Sequence, residues 1–273
     1  MKVQEYTPHD ELVKKFVSKY QIFEVEGPFI AKAIPSGTSE CWFALEGRFK
    51  LYNPQTQKFE LLGESGFFPM SGKGYTYYVQ EYLRCLNIKL KPTILGLPVF
   101  SDFIQNWQTT PIHVFLGENG SSEIQKLDFA KADQVAESLD RLILGRNNLA
   151  QVDPKIEQVL SSIFSPENLD LKIGELARMN SLTVKSFERL IYKLCGMTPK
   201  KLLNIVRFGK SSSYLKSHEE AQFIDALAFG YYDQSHFIKE CKRITKLNPT
   251  DFLSRLELHV PDLLVEREGL NGE

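Results

Sequence analysis

In the stretch GYYDQSHFIKECK, from Gly230 to Lys242, an aspartate, a serine and a histidine fall within four residues. Asp233, Ser235 and His236 are residue types of acyl-transfer catalysis, in which a serine nucleophile is bonded to a histidine base that an acid orients. That chemistry requires the three side chains to converge. Neighbours on one helical turn diverge, so adjacency along the chain argues against a triad and for a helix start. Asp233 then reads as the N-cap, Gln234, Ser235 and His236 as the first turn, and Phe237 and Cys241 as the side turned to a core. No P-loop, GxSxG or GxGxxG occurs elsewhere in the chain. A cupin-like metal enzyme is the competing chemistry, but before residue 150 the only histidines are His9 and His113, with no His-x-His pair. The expectation is a non-enzyme with no catalytic residue, no metal and no cofactor.

The elements that must position such a helix come from the whole chain. With 273 residues, 42% hydrophobic and 12% aromatic, it can fill the cores of two ordinary domains. No apolar run reaches the eighteen or so residues of a membrane span, and the charged start MKVQEYTPHDELVKK lacks the apolar centre of a signal peptide. A cytoplasmic protein with no membrane partner is expected. Cys41, Cys85, Cys195 and Cys241 form no CxxC pair and read as reduced, buried small hydrophobes. The net charge of −1 is unevenly spread: residues 151–258 carry 16 Lys and Arg against 13 Asp and Glu, whereas residues 1–150 carry 16 against 17. A mild surplus of this kind fits DNA binding without proving it.

The chain divides by period. FIAKAI (29–34), CWFALEGRFKLY (41–52), KFELLG (58–63), YTYYVQ (75–80) and LRCLNIKL (83–90) alternate as strands, and PSG, NPQTQ and SGKG mark the turns between them. A small antiparallel barrel or sandwich follows. After Pro98 the period turns helical, in PVFSDFIQNWQ and in FAKADQVAESLDRLILGR, where Val135, Leu139, Leu142 and Ile143 share a face. NNLAQVDP (147–154) reads as a linker ending in a helix start, Asp153 the cap and Pro154 the first helical residue. The fold class is α+β with two domains. A strand-rich regulatory domain with accessory helices covers 1–150, an all-α domain with two helix-turn-helix motifs joined by a connecting helix covers 151–258, and 259–273 form a polar tail.

The helical part repeats itself. Shifted by fifty, Phe187 lies on Phe237, Ile191 on Cys241, Leu194 on Ile244, Thr198 on Asn248 and Pro199 on Pro249. An alanine stands before each turn, Ala177 and Ala226, where two closely crossing helices need a small residue. Alanine, tight turn and amphipathic second helix make a helix-turn-helix. On a helical wheel Phe187, Leu190, Ile191 and Leu194 span about 100°, the width of a buried stripe, and Lys185, Arg189 and Tyr192 stand opposite. In the second copy Phe237, Cys241 and Ile244 form the stripe; Ser235, Lys239 and Lys242 oppose it, flanked by His236, Ile238 and Arg243. A major groove admits a helix, cations displace counterions from phosphates, and Ser, Gln, Arg and Lys pair with base edges.

Residues 153–256 resemble the AraC/XylS family of transcription regulators. IGELA with TVKSFERLIYKLCGMTPKKLL matches its first helix-turn-helix, Arg207 its connecting helix, and AFGYYDQSHFIKECKRITKLNPTDFL its second. The resemblance implies seven helices, with two recognition helices held by a connecting helix near Leu202 to Lys216 and entering successive major grooves of double-stranded DNA, about 34 Å apart. Carried over by position, Val184, Lys185, Ser186, Glu188, Arg189 and Tyr192 face the first groove. Asp233, as cap, with Gln234, Ser235, His236, Lys239 and Lys242 serves the second, His236 as a phosphate donor. Three features depart from the pattern: Lys246 replaces a glycine after the second recognition helix, Asp225 an apolar residue, and Gly209 with Ser211 to Ser213 loosens the connecting helix.

The first 150 residues resemble, less specifically, the strand-rich domain of one branch of such regulators, through PSGTSECWFALEGRF and LNIKLKP. That implies a small-molecule effector, a homodimer, or both. Aromatic strand residues Trp42, Phe43, Tyr77 and Tyr78 are the candidate pocket, with Arg84 as anion partner. Transcription regulation is the expected outcome, activation or repression depending on where the site lies relative to a promoter, and action through protein partners rather than DNA, by way of helix 131–146, is the alternative.

Overall fold

The computed structural model describes residues 1–70, 72, 74–97, 116, 119–129, 131–146, 149, 152–256 and 263–265. The strand-rich part is a half-barrel built on one long strand. Seven strands come first: β1 (Lys2–Tyr6), β2 (Val17–Glu26), β3 (Phe29–Ala33), β4 (Ser39–Asn53), β5 (Lys58–Leu61), β6 (Ser65–Phe68) and β7 (Tyr75–Leu90). One edge of β7 carries β3 and then β2, the other carries β4, and all three pairings are antiparallel. The two strands expected at 75–80 and 83–90 are thus one. The residues between them, Glu81 and Tyr82, contain no turn former, and pairing to β2, with Tyr82 opposite Glu26, keeps the chain extended there. The β4–β7 register is irregular there: β4 carries an extra residue between Ala44 and Glu46, and β7 carries the extra residues between Val79 and Leu83, opposite Gly47 and Phe49. Gly47 has φ +74°, and a Cβ there would lie 2.0 Å from the Tyr82 carbonyl oxygen, so the bulge closes only over glycine.

Alternation gives the half-barrel two apolar faces. Val25, Trp42, Phe49, Phe68, Val79, Leu83 and Cys85 fill its concave side. Tyr20, Ile22, Cys41, Phe43, Leu86, Ile88 and Leu90 fill the other, beneath the helices. The charged start, unread as structure in the sequence, supplies β1 as the edge strand on β2. The helix expected at 98–108 lies outside the described residues.

Among the described residues two helices follow the half-barrel, α1 (Gly120–Gln125) and α2 (Ala132–Arg146). Val135, Ala136, Leu139 and Ile143 of α2 are buried, while Leu142, expected beside them, is only half-buried. Asp140 is 3% exposed and anchors the helix. Its carboxylate accepts from the Tyr20 hydroxyl at 2.5 Å and from the backbone N–H groups of His9 and Asp10 at 2.7 Å each. Burial and this carboxylate push the Tyr20 hydroxyl far above the ordinary phenol range.

The helical part comprises α3 (Pro154–Phe164), α4 (Ile173–Met179), α5 (Val184–Cys195), α6 (Pro199–Ser217), α7 (Gln234–Thr245) and α8 (Pro249–Arg255), with a 3-10 segment at Phe223–Phe229. Its start is as the sequence reads: Asp153 caps α3, accepting from the Lys155 N–H, and Pro154 occupies the first turn. The apolar core does not stop between the two parts. One cluster runs from Tyr20 and Ile88 through Ile94 and Leu160 to Phe187, Ile191 and Leu202. The second helix pair has its own cluster around Phe208, Phe237 and Phe252, and Ile34, just past the end of β3, and Leu264 of β8 (Leu263–Val265) reach it. β8 pairs with β3, so the chain's last described strand returns to the sheet.

The fifty-residue repeat is visible in the caps. Thr198 caps α6 and Asn248 caps α8, each followed by proline. Gly196 ends α5 at φ +64°, and Lys246 ends α7 at φ +68°. The second conformation is left-handed at a residue with a Cβ, which costs about 1 kcal/mol. Lys246→Gly is expected to stabilise the chain by about 1 kcal/mol, seen as a higher urea midpoint at unchanged slope. Asp140→Ala leaves the Tyr20 hydroxyl and two N–H groups without their acceptor, and is expected to lower the unfolding free energy by about 3 kcal/mol in the same titration.

Candidate nucleic-acid interface

Each recognition helix is presented by a turn whose backbone bonds are closed locally. Before α5, the Leu182 N–H donates to the Ala177 carbonyl at 2.9 Å and the Ser181 N–H to Arg178 at 2.9 Å, with Ser181 at φ +52°. Asn180 is fully buried, and its amide donates to the Ser162 hydroxyl at 2.7 Å and the Leu176 carbonyl at 2.8 Å. The Lys155 ammonium donates to the Asn180 carbonyl, so α3 holds this turn. Before α7 the turn is made by Gly230, at φ +84°. A Cβ on Gly230 would come within 2.6 Å of the Leu169 carbonyl oxygen, which also accepts from the Arg207 guanidinium. Ala177 and Ala226 are both buried at the crossings.

Thr183 caps α5, accepting from the Ser186 N–H at 3.1 Å, and its hydroxyl also donates to the Ser186 hydroxyl at 2.9 Å. Ser186 is half-buried and engaged in the cap. Phe187, Ile191 and Leu194 are buried and Leu190 half-buried; Val184, Lys185, Glu188, Arg189 and Tyr192 are exposed together on the opposite side. Among the described residues Lys185 and Arg189 have no carboxylate partner.

Asp233 caps α7, accepting from the His236 N–H at 2.7 Å. Phe237 and Cys241 are buried; Gln234, Ser235, Lys239 and Lys242 are exposed, and the two lysines have no ion pair among the described residues. His236 is turned further inward than its position implies. Its ring packs edge-on against Tyr231, centroids 5.1 Å apart, and Nδ1 accepts from the Tyr232 N–H at 3.4 Å, leaving Nε2 as the nitrogen open to a phosphate. Arg243 is drawn back to the buried carboxylate of Glu240, at 2.9 and 2.5 Å. Tyr232, unread in the sequence, is 90% exposed at the start of α7. An aromatic in a polar turn beside a recognition helix is the signal that could have marked it.

The departures from the family pattern acquire physical roles. Asp225 accepts from the Gln222 N–H at 2.7 Å and caps the 3-10 segment that leads into the second turn. Gly209 does not loosen α6; a Cβ there would lie 2.7 Å from the Ser36 carbonyl oxygen, so glycine lets the connecting helix lie against the sheet's 35–38 loop. Ser211 and Ser212 are fully buried in the same helix.

The pocket residues divide by strand parity. Trp42 and Tyr77 line an apolar cavity of about 100 Å³ inside the half-barrel, with Glu40, Asn87 and Lys89 at its polar end. The Trp42 indole N–H and the Asn87 amide oxygen are buried without a hydrogen bond among the described residues. Arg84 is not part of it. It alternates with Leu83 and Cys85, which do line the cavity, so it projects from the other face, where it pairs with Glu24 at 3.4 Å and lies 5.5 Å from the Phe129 ring. Phe43 and Tyr78 fall on that face for the same reason, Phe43 in the core under the helices and Tyr78 beneath the Lys50 ammonium at 5.7 Å. No group of three His, Cys, Asp or Glu able to hold a metal occurs among the described residues. No helix among them is long and apolar enough to cross a membrane.

Comparison with known proteins places this geometry. A helix-turn-helix domain family matches residues 176–255. An uncharacterized HTH-type transcriptional regulator of Haemophilus influenzae is 26% identical over 106 residues, 39% of this chain, and the match spans 36% of that relative's length. ToxT of Vibrio cholerae strain SCE256, solved with an unsaturated fatty acid, has a TM-score of 0.52 at 11% identity, over 86% of this chain and 94% of that one. ToxT of Vibrio cholerae O395, solved with (E)-4-(8-methylnaphthalen-1-yl)but-3-enoic acid, has a TM-score of 0.52 at 10% identity, over 93% and 99%. Residues 176–255 match a helix-turn-helix domain, and the chain carries it behind a strand-rich half-barrel in the two-domain fold of ToxT.

Proposed function

We propose that this chain is a sequence-specific transcription regulator that reads two major-groove segments of double-stranded DNA with α5 and α7. The observation that carries this reading is the pairing of two capped amphipathic helices whose outward faces hold unpaired cations and donors. Lys185, Arg189 and Tyr192 stand on one, and Gln234, Ser235, Lys239 and Lys242 on the other. Val184, Glu188, Ser186 and His236 flank them, the last two partly withdrawn into the caps. Each N-terminus adds unpaired N–H groups that favour phosphate. Residues 1–150 then form the regulatory part, 151–258 the DNA-binding part and 259–273 a tail.

A small effector is part of this reading. The half-barrel cavity is lined mainly by Phe23, Phe29, Trp42, Phe49, Phe68 and Tyr77, and its buried Trp42 indole N–H and Asn87 amide oxygen have no hydrogen-bond partner among the described residues. ToxT, of the same fold, is a ligand-binding protein in two of its structures, which supports the assignment. Arg84 is left out of it. Homodimerisation, activation of transcription and a cytoplasmic location complete the proposal.

Selection of bound duplexes from a random pool, followed by mobility shift across a salt series, tests it. Binding is expected to weaken steeply with salt. Arg189→Ala is expected to relax discrimination at one position by about 1–3 kcal/mol, whereas Lys242→Ala weakens all duplexes evenly and lowers the salt slope by about one. Absence of salt-sensitive duplex binding at low ionic strength overturns the DNA reading in favour of action through protein partners.

A further inference from the structure

Among the described residues β5 pairs only with β4, so its second edge is open. One step beyond the paired Lys50 and Leu61, the Leu62 N–H donates to the Phe49 carbonyl at 3.2 Å. By the alternation of an antiparallel ladder, Lys58 and Glu60 then turn their backbone groups to β4, while Phe59 and Leu61 turn theirs outward. All four residues of the strand are exposed, Phe59 at 37% and Leu61 at 64%. These two apolar side chains share a face with Tyr52 and Tyr78, whose rings lie 5.5 Å and 5.7 Å from that of Phe59. Lys58 and Glu60 take the other face. Hydrogen bonds from Thr56 and Asn53, at 2.7 and 2.9 Å, lower the Glu60 pKa from its ordinary value, and Lys58 has no ion pair among the described residues.

We propose that this edge pairs with the same strand of a second copy, antiparallel and centred on Phe59. The surface named here rests on the homodimer part of the function proposed above. A two-fold axis perpendicular to the sheet keeps every side chain on its own face, so it must pass between a residue and its own copy. Centred on Phe59, it sets Lys58 opposite the second copy's Glu60, and Glu60 opposite the second copy's Lys58. Opposite charges thus meet twice, in the pairs where side chains stand closest. The two Phe59 backbones exchange their N–H···O=C bonds, their rings extend the aromatic row, and Leu61 lies diagonal to the second copy's Phe59. Both exposed apolar side chains are covered. Centring on Lys58 or Glu60 sets like charges against each other, and centring on Leu61 carries the pairing beyond the strand. A strand this short makes a weak contact, and two chains held on neighbouring DNA sites supply the concentration that it lacks.

Cysteine scanning of the full chain without DNA tests this edge, because all four native cysteines are buried. In this register the two Phe59 Cα atoms lie about 5.5 Å apart, within disulfide reach, and the two Leu61 Cα atoms about 14 Å apart. On mild oxidation Phe59→Cys is expected to become a covalent dimer, and Leu61→Cys to crosslink at least about tenfold less. Added to Phe59→Cys, Lys58→Glu or Glu60→Lys alone is expected to cut crosslinking at least about fivefold, and both together to restore it, since the swap recreates both pairs. Sedimentation of the parent chain up to about 200 μM is expected to show a monomer–dimer equilibrium. The proposal is overturned if the two cysteine variants crosslink alike, or if the double swap, folded by circular dichroism, fails to restore crosslinking. A chain that dimerises while Phe59→Cys stays uncrosslinked also overturns it and leaves the homodimer on another surface. A chain that stays monomeric overturns the edge and the homodimer together, and the mobility shift tests DNA binding separately.

Discussion

Three consecutive residues of the connecting helix hold the molecule together in three directions. Arg207 donates to the Leu169 carbonyl, against which the Gly230 turn also closes. Phe208, fully buried, stacks on Phe237 at 6.3 Å and lies 5.3 Å from Phe252, so it is the centre of the second helix pair. Gly209 lets the Ser36 backbone approach. On a helix, successive side chains point about 100° apart, and three neighbours can therefore serve three different surfaces. Shifting α6 disturbs the first turn, the second pair and the sheet together, because packed interiors transmit displacement rather than absorb it.

That arrangement explains why the two recognition helices differ in detail while sharing a plan. α5 shares its core with the sheet, through the continuous cluster from Tyr20 to Leu202, whereas α7 rests on a separate cluster tied to the sheet by Ile34 and Leu264. The second pair therefore has fewer apolar ties to the sheet, and its polar bonds carry more of the positioning: Asp225 to Gln222, Asp233 to His236, and the Lys216 ammonium to the Leu253 carbonyl at 3.1 Å. Residues that look like departures in a sequence pattern, Asp225 and Gly209, turn out to be the ones that make these local fits.

The half-barrel follows a different logic. Strand parity assigns each residue of β7 to one of two apolar faces, and a bulge in β4 shifts that strand's parity between Trp42 and Phe49 so that both look inward. Reading aromatic residues without their parity groups Trp42 with Phe43 and Tyr77 with Tyr78, although only one of each pair can share a face. Arg84 was misassigned by the same route, since its neighbours Leu83 and Cys85 take the inward positions.

Short spacing alone dictates the caps Asp153 and Asp233, the alanines at the crossings, the fifty-residue repeat that sets Thr198 on Asn248, and the stripe that puts Lys185, Arg189, Lys239 and Lys242 outward. These depend on the periods of helix and turn, which the chain carries locally. Tertiary structure alone decided how far side chains withdraw, as with His236 against Tyr231 and Arg243 against Glu240, and which strand residues share a cavity. It also decided that Asp140, invisible as a polar residue on a helical face, is the buried acceptor joining α2 to the chain's start. Such contacts join residues more than a hundred positions apart, and no local period encodes them. The aspartate, serine and histidine at 233–236 show both halves: their spacing declared a capped helix start, and only the fold showed the histidine leaning back on its own turn.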